Sequence, residues 1–171
     1  MNIIGGEKRG SKLALCPSKA VRPTAQRTRE ALFNILQGGR FSFSFSEATV
    51  IDLFAGTGAI GLEALSRGAR RCVFVEQDQE ALQTLQANIS KLKLKDRAHI
   101  LVKDARLVHS WPGPRADLVF ADPPYSSSLA GEGLHQLVAA NAVVQQALIV
   151  VETRKTAVSY THLTLPTKLE V

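Results

Sequence analysis

The chain has 171 residues, 45% of them hydrophobic and 21% charged, which fits one globular domain able to bury roughly two thirds of its unfolded surface. No apolar run approaches the ~20 residues of a membrane helix, and MNIIGGEKRG lacks the apolar core of a signal peptide, so a cytoplasmic protein with no membrane partner is expected. The net charge of +6 resides in residues 1–40, where Lys8, Arg9, Lys12, Lys19, Arg22, Arg27, Arg29 and Arg40 face only Glu7 and Glu30, while the remainder is balanced. A neutral body with a basic N-terminal arm points to a polyanionic partner met by the arm, although a solvated charged surface has the same composition. Cys16 and Cys72 form no paired framework and no histidine has a partner at metal-ligand spacing, so reduced thiols and no metal site are expected.

In chain order, residues 2–15 carry two short extended stretches around Gly5, Gly6 and Gly10 and predict a small hairpin. Pro17 and Pro23 bracket a loop. TAQRTREALFNILQGG then predicts a helix, with Thr24 as its cap, Ala31, Leu32, Ile35 and Leu36 at helical spacing, and Gly38 and Gly39 as its end. FSFSFSE alternates briefly and reads as a linker or an edge strand. From residue 49 a regular alternation sets in. TVIDLF, RCVFVE, AHILV, ADLVFA and ALIVVE read as strands; helices are predicted from Ala59 to Arg67, from an Asp78 cap to Leu92, and from Leu129 to Ala140. Strands alternating with helices predict a mostly parallel α/β sheet covered on both faces.

Two stretches carry chemistry. DLFAGTGAIG, residues 52–61, places glycines between a strand and a helix, where they permit a tight turn and close approach of a ligand to the backbone. Glu76 ends the next strand, 20 residues after Gly56, at the position from which a carboxylate accepts bonds from ribose hydroxyls. A dinucleotide and S-adenosylmethionine both satisfy that pattern. Asp52 favours the second, because its carboxylate at the strand end repels a pyrophosphate and attracts an ammonium or a sulfonium; its alternative is a turn cap. Asp104, after the third strand, is a candidate acceptor for the adenine amine or equally a helix N-cap. ADPPY, residues 121–125, follows the fourth strand. Asp122 and the carbonyl of Pro123 can accept the hydrogens of an exocyclic base amine and aim its nitrogen at a methyl group, and Tyr125 offers a face for stacking a flipped base. The bland reading is a proline turn with a capping aspartate.

With these residues in place the chain resembles the bacterial 16S ribosomal RNA guanine-N2 methyltransferases of the RsmD type. The resemblance lies in IIGGEKRGSKL, RPTAQRTREALFNIL, DLFAGTGAIGLEALSRGA, VFVEQD and DPPY, and covers almost everything from residue 3 to about residue 152. It implies a Rossmann-like S-adenosylmethionine-dependent methyltransferase fold. It implies cofactor contacts from Asp52, Phe54, Ala55, Gly56, Gly58, Glu76, Asp104 and Ala105, and a catalytic centre at Asp122, Pro123 and Tyr125. It also implies RNA contacts from Arg9, Arg22, Thr24, Arg27 and Arg29, and as partner 16S rRNA or the small ribosomal subunit, met by a monomer. Three segments follow: a basic RNA-contacting extension over 1–40, a catalytic core over 41–156, and a tail over 157–171. The tail, TAVSYTHLTLPTKLEV from residue 156 on, does not match the antiparallel hairpin that closes the family's seven-stranded sheet. It is expected to be non-native, to form no regular strand pair and to leave ALIVVE without a partner on its outer side.

Rival readings are a DNA adenine-N6 methyltransferase, which usually carries a separate target-recognition region, a non-catalytic RNA-binding remnant, and an NAD-dependent oxidoreductase, which Asp52 and DPPY disfavour.

Overall fold

The computed structural model describes residues 1–16, 26–38, 41–123, 127–152 and 158–162. The strands are β1 (Thr49–Asp52), β2 (Arg71–Glu76), β3 (Ala98–Val102), β4 (Ala116–Ala121), β5 (Val143–Glu152) and β6 (Val158–His162); the helices are α1 (Gln26–Gln37), α2 (Ala59–Ser66), α3 (Gln79–Leu92) and α4 (Ser127–Ala139). The strands form one sheet in the order β3-β2-β1-β4-β5-β6. β1 to β5 run parallel and β6 is antiparallel to β5. The order reverses between β1 and β4, so the loops leaving these two strands diverge and open a crevice at their carboxyl ends, where open α/β sheets bind ligands.

Alternation along each central strand divides the core in two. Val50, Phe74, Leu118, Phe120 and Val150 pack with α1, α2 and α3 on one face. Ile51, Leu53, Val73, Val75, Val119 and Ile149 pack with α4 on the other. Every residue of α2 is buried, because the sheet lies on one side of it and the N-terminal arm on the other. α3 begins where Asp78 caps it, its side chain accepting a bond from Ala81 N at 2.8 Å.

Some elements differ from expectation. The arm is folded back by Ile3 N→Ser11 O and Leu13 N→Met1 O bonds, but pairs as a strand only at the Asn2–Lys12 bridge, around a 3-10 turn at Gly6–Lys8. Residues 41–48 form no strand; Phe45 is buried there, its ring 5.3 Å from that of Phe33, so the alternation of FSFSFSE inserts one aromatic ring into the core. The Thr24 cap lies outside the described residues. The buried stripe of α1 is Arg29, Leu32, Phe33 and Leu36, whereas Ile35 is exposed.

The expectation that the tail forms no strand pair and leaves β5 without an outer partner is overturned. Glu152 pairs with Val158, and the register runs on to Leu148 with His162. An edge ladder needs only backbone N–H and C=O groups, which Val158–His162 supply. One antiparallel strand therefore covers the outer edge of β5 in a six-stranded sheet. Amide exchange should show this: protected amides are expected within 158–162, and exchange there as fast as in an unstructured peptide would contradict the β5–β6 ladder.

Candidate cofactor and methyl-transfer site

The parallel register sets a row of carboxylates along the carboxyl edge. Asp52 lies level with Phe74 on β2 and Phe120 on β4. Glu76 and Asp122 each follow two residues later on those flanking strands, about 7 Å further along and on the same face as Asp52. Asp104 follows β3. Four acids on four adjacent strands thus converge on the crevice, and β1 and β4 bring Asp52 and Asp122 close enough for their charges to interact.

The glycine loop is shaped by what surrounds it. Gly56 and Gly58 have φ of 52° and 81°, in the left-handed region. A Cβ on Gly58 would also lie 2.3 Å from Leu85 Cδ1, and one on Gly61 would lie 2.4 Å from Phe74 Cε1 and 2.7 Å from Cys72 Sγ. The last glycine therefore lets α2 sit against β2. Asp52 is 2% exposed and its Oδ2 accepts Gly61 N at 2.9 Å, so it caps the first turn of α2 from below. This is the capping role weighed for it in the sequence, here spanning nine residues rather than a local turn.

Glu76 joins the loop to its own strand. Its Oε2 accepts Gly56 N at 2.7 Å, and its Oε1 accepts Gln77 N and Asp78 N, both at 2.8 Å. Three of about four lone-pair sites are filled by backbone and one on Oε2 remains for a ligand hydroxyl. The Gly56 N–H that would greet a pyrophosphate is already taken by a carboxylate. With Glu76 at the loop and Asp122 at the end of β4, the surroundings suit a nucleoside bearing positive charge better than a phosphate. The donor set fits S-adenosylmethionine and not a dinucleotide: Glu76 for the ribose hydroxyls, the glycine loop for close approach, and acidic ends for the ammonium and sulfonium.

Asp104 is committed locally. It caps the 3-10 turn Ala105–Leu107, accepting Arg106 N at 2.9 Å, and holds the Arg106 guanidinium at 2.6 Å. The Arg106 bond keeps its carboxyl below the usual range. Ala105 is buried under α4, against the point where Gly133 comes close, and Phe54 packs at the edge of the same cluster. Ala55 N bonds to Val75 O and Ala55 O accepts Gly58 N, which ties the loop to β2. Asp122 and Pro123 leave β4 half-buried at the crevice; Tyr125 lies outside the described residues.

The arm needs one correction. Arg9 and Arg27 are exposed, and Arg22 and Thr24 lie outside the described residues. Arg29 is fully buried. Its Nη2 donates to Asn2 O and its Nε lies 3.9 Å from Glu63 Oε2, so it serves the interior and not an RNA-facing surface. Burial lowers its pKa, against the opposing pull of Glu63. Glu63 and Asn88, buried polar groups behind the loop, were not singled out in the sequence. The signal for Asn88 was its position on the apolar stripe of α3 with Ala81, Leu85 and Leu92, where a polar residue needs a reason. A cavity of about 140 Å³ lined by Arg71, His99 and Trp111 lies towards the amino ends of β2 and β3, away from all predicted site residues.

Among the described residues no cluster of metal-binding side chains occurs and no helix is long and apolar enough to cross a membrane.

The conserved hypothetical protein 95 family model matches residues 1–169. The chain is 38% identical over 152 residues to ribosomal RNA small subunit methyltransferase D of Escherichia coli strain K12, covering 89% of this chain and 74% of that protein. It is 35% identical over 158 residues to the Haemophilus influenzae protein of the same name, covering 91% and 79%. The solved Escherichia coli protein yhhF superposes with a TM-score of 0.77 at 35% identity, covering 90% of this chain and 80% of that one.

Asp52 supplies a test of the buried edge. Burial, with the charges of Asp122 and Glu76 behind it, raises its pKa from 3.8 to about 7, against the Gly61 bond. Between those values the folded chain keeps a proton that the unfolded chain loses. Its contribution is therefore full below pH about 4 and falls as pH rises towards about 7, by something on the order of 4 kcal/mol. Denaturant titrations without ligand should show wild type losing stability relative to Asp52→Asn across that window. A pH-independent difference would remove the case for a protonated Asp52.

Proposed function

The chain belongs to the conserved hypothetical protein 95 family, the RsmD-type methyltransferases, and from that premise we propose that it methylates the exocyclic N2 amine of one guanine in the 16S rRNA of the small ribosomal subunit. It is a methyltransferase of Rossmann-like fold, and S-adenosylmethionine is its methyl donor. The observation that carries the base-amine reading is the placement of Asp122 and Pro123 at the carboxyl end of β4, across the switch point from the glycine loop after β1.

When bound, the cofactor would supply an electrophilic methyl on a sulfonium, with a neutral thioether as the leaving group. What remains difficult is the nucleophile, because the lone pair of a guanine amine is delocalised into the ring. Asp122 and the Pro123 carbonyl accept its two hydrogens. That orients the nitrogen towards the methyl and stabilises the positive charge that grows on it as the N–C bond forms and the S–C bond breaks. The surplus proton then leaves the nitrogen, to Asp122 or to water. Tyr125, which ends the motif, is the residue proposed to stack the flipped base. Glu76 and the loop hold the nucleoside of the cofactor, and the basic arm, through Arg9, Arg22 and Arg27, holds phosphates.

Asp122→Ala should reduce methyl transfer by ~10²-fold or more while leaving cofactor affinity nearly unchanged. The assay is label transfer from S-adenosylmethionine to small subunits lacking the modification, with the modified base mapped. Near-normal turnover in the variant, or a label on adenine, would end this reading.

Replacing Arg9 and Arg27 with alanine should flatten the salt dependence of RNA binding, each lost phosphate contact reducing the log–log slope by roughly 0.7–0.9. An unchanged slope would make these residues solvated surface only.

A further inference from the structure

Asn88 lies in the third turn of α3 and is fully buried. Its amide is fully used. Oδ1 accepts Ala14 N at 2.8 Å; Nδ2 donates to Ala14 O at 3.2 Å and to Thr57 O at 3.1 Å. One side chain therefore grips both backbone groups of the last part of the arm and the central carbonyl of Gly56-Thr57-Gly58. Thr57 sits between two left-handed glycines, so without an external bond its peptide has little to fix its orientation. The arm is also latched at its other end, where Glu63 of α2 accepts Ile4 N and Gly5 N at 2.8 Å and Ser66 accepts Lys8 N at 2.9 Å. Both latches sit on the helices that flank the cofactor loop.

We propose that Asn88 is a positioning residue that couples the cofactor loop to the basic arm, so that filling the cofactor site tightens the arm and loosening the arm weakens cofactor binding. This rests on the reading of residues 52–61 as the cofactor loop. The physical basis is reciprocity: a bond network shared by two segments transmits ordering in both directions with equal free energy. A donor fixed on Thr57 O holds the peptide planes on either side of it. If the loop shifts, Asn88 shifts with it, and Ala14 loses two bonds together.

The test uses the full chain and S-adenosylhomocysteine as probe. Amide exchange should slow at Gly56 and Gly58, and also at Ala14, by about fivefold or more. A residue that merely filled the core would leave Ala14 indifferent to ligand. In Asn88→Asp, which keeps the acceptor for Ala14 N but loses both donors, the ligand-induced slowing at Ala14 should vanish. Because that variant can misfold, a second one leaves Asn88 intact. Ala14→Pro removes the arm's N–H and fixes φ at that one position, at an exposed side chain. It should weaken cofactor affinity by about fivefold in titration calorimetry, whereas Ala14→Ser should not. Slowing at Gly56 with none at Ala14, or unchanged affinity in Ala14→Pro, overturns the coupling. No slowing at Gly56 or Gly58 overturns the cofactor-loop reading itself, and the inference with it.

Discussion

A carboxylate with 2% exposure in the middle of a parallel sheet sets the terms for the rest of this molecule. Asp52 ends β1, the strand at which the order of the sheet turns, and the only hydrogen bond recorded to its carboxylate among the described residues is the Gly61 N–H of α2. That bond fixes where α2 starts. It requires a loop between residues 52 and 61 short enough to return the helix over the strand, which forces left-handed backbone at Gly56 and Gly58. It requires a residue without a side chain at position 61, because Phe74 and Cys72 fill the space where a Cβ would go. A second carboxylate, Glu76, ties the same loop to β2 through Gly56 N. The glycine motif is thus a chain segment held between two acids.

The strands and helices were legible in the sequence and parts of the site were not. Apolar runs bounded by DLF, VFVE and DPPY declare buried parallel strands, and the intervening periodic segments declare helices; neither depends on distant partners. Arg29 was misread because it was judged by charge. Its spacing to Leu32, Phe33 and Leu36 already placed it on the buried stripe, and only the presence of Glu63 on another helix makes a guanidinium tolerable there. Asp104 faced a similar ambiguity: a strand-end acid is open to a ligand unless a cation two residues on folds back over it, as Arg106 does. The β5–β6 pairing was not legible because an edge strand pairs through its backbone, which leaves no family motif in the side chains of 158–162.

The buried charges near the arm belong to one network. Glu63 receives Ile4 N and Gly5 N and faces both Arg29 and Arg67, whose Nε lies 2.8 Å away. Arg67 lies over the ring of Phe33 at 4.8 Å. Replacing one member strands the others, since a buried ion deprived of its partner costs several kcal/mol. Arg29 Nε and Nη1 have no hydrogen-bond partner among the described residues, so the network holds its position through charge and packing more than through bond count. Its effect is to seat the first part of the arm, from Asn2 to Lys8, on α2.

The two charge distributions then divide the work between them. The carboxyl edge of the sheet gathers Asp52, Glu76, Asp104 and Asp122, while the exposed cations Arg9 and Arg27 lie outside it. A phosphate is repelled by the first group and attracted by the second. An RNA strand approaching under the proposed reaction therefore settles its backbone against the arm and cannot carry a phosphate into the crevice. What can enter is a neutral, planar group with hydrogen-bond donors on its edge. A flipped guanine presents its amine as such a donor, and the acceptors that await it are Asp122 and the carbonyl of Pro123. Under the same proposal the acids of this edge that remain open to a ligand favour a cationic methyl donor over a dinucleotide.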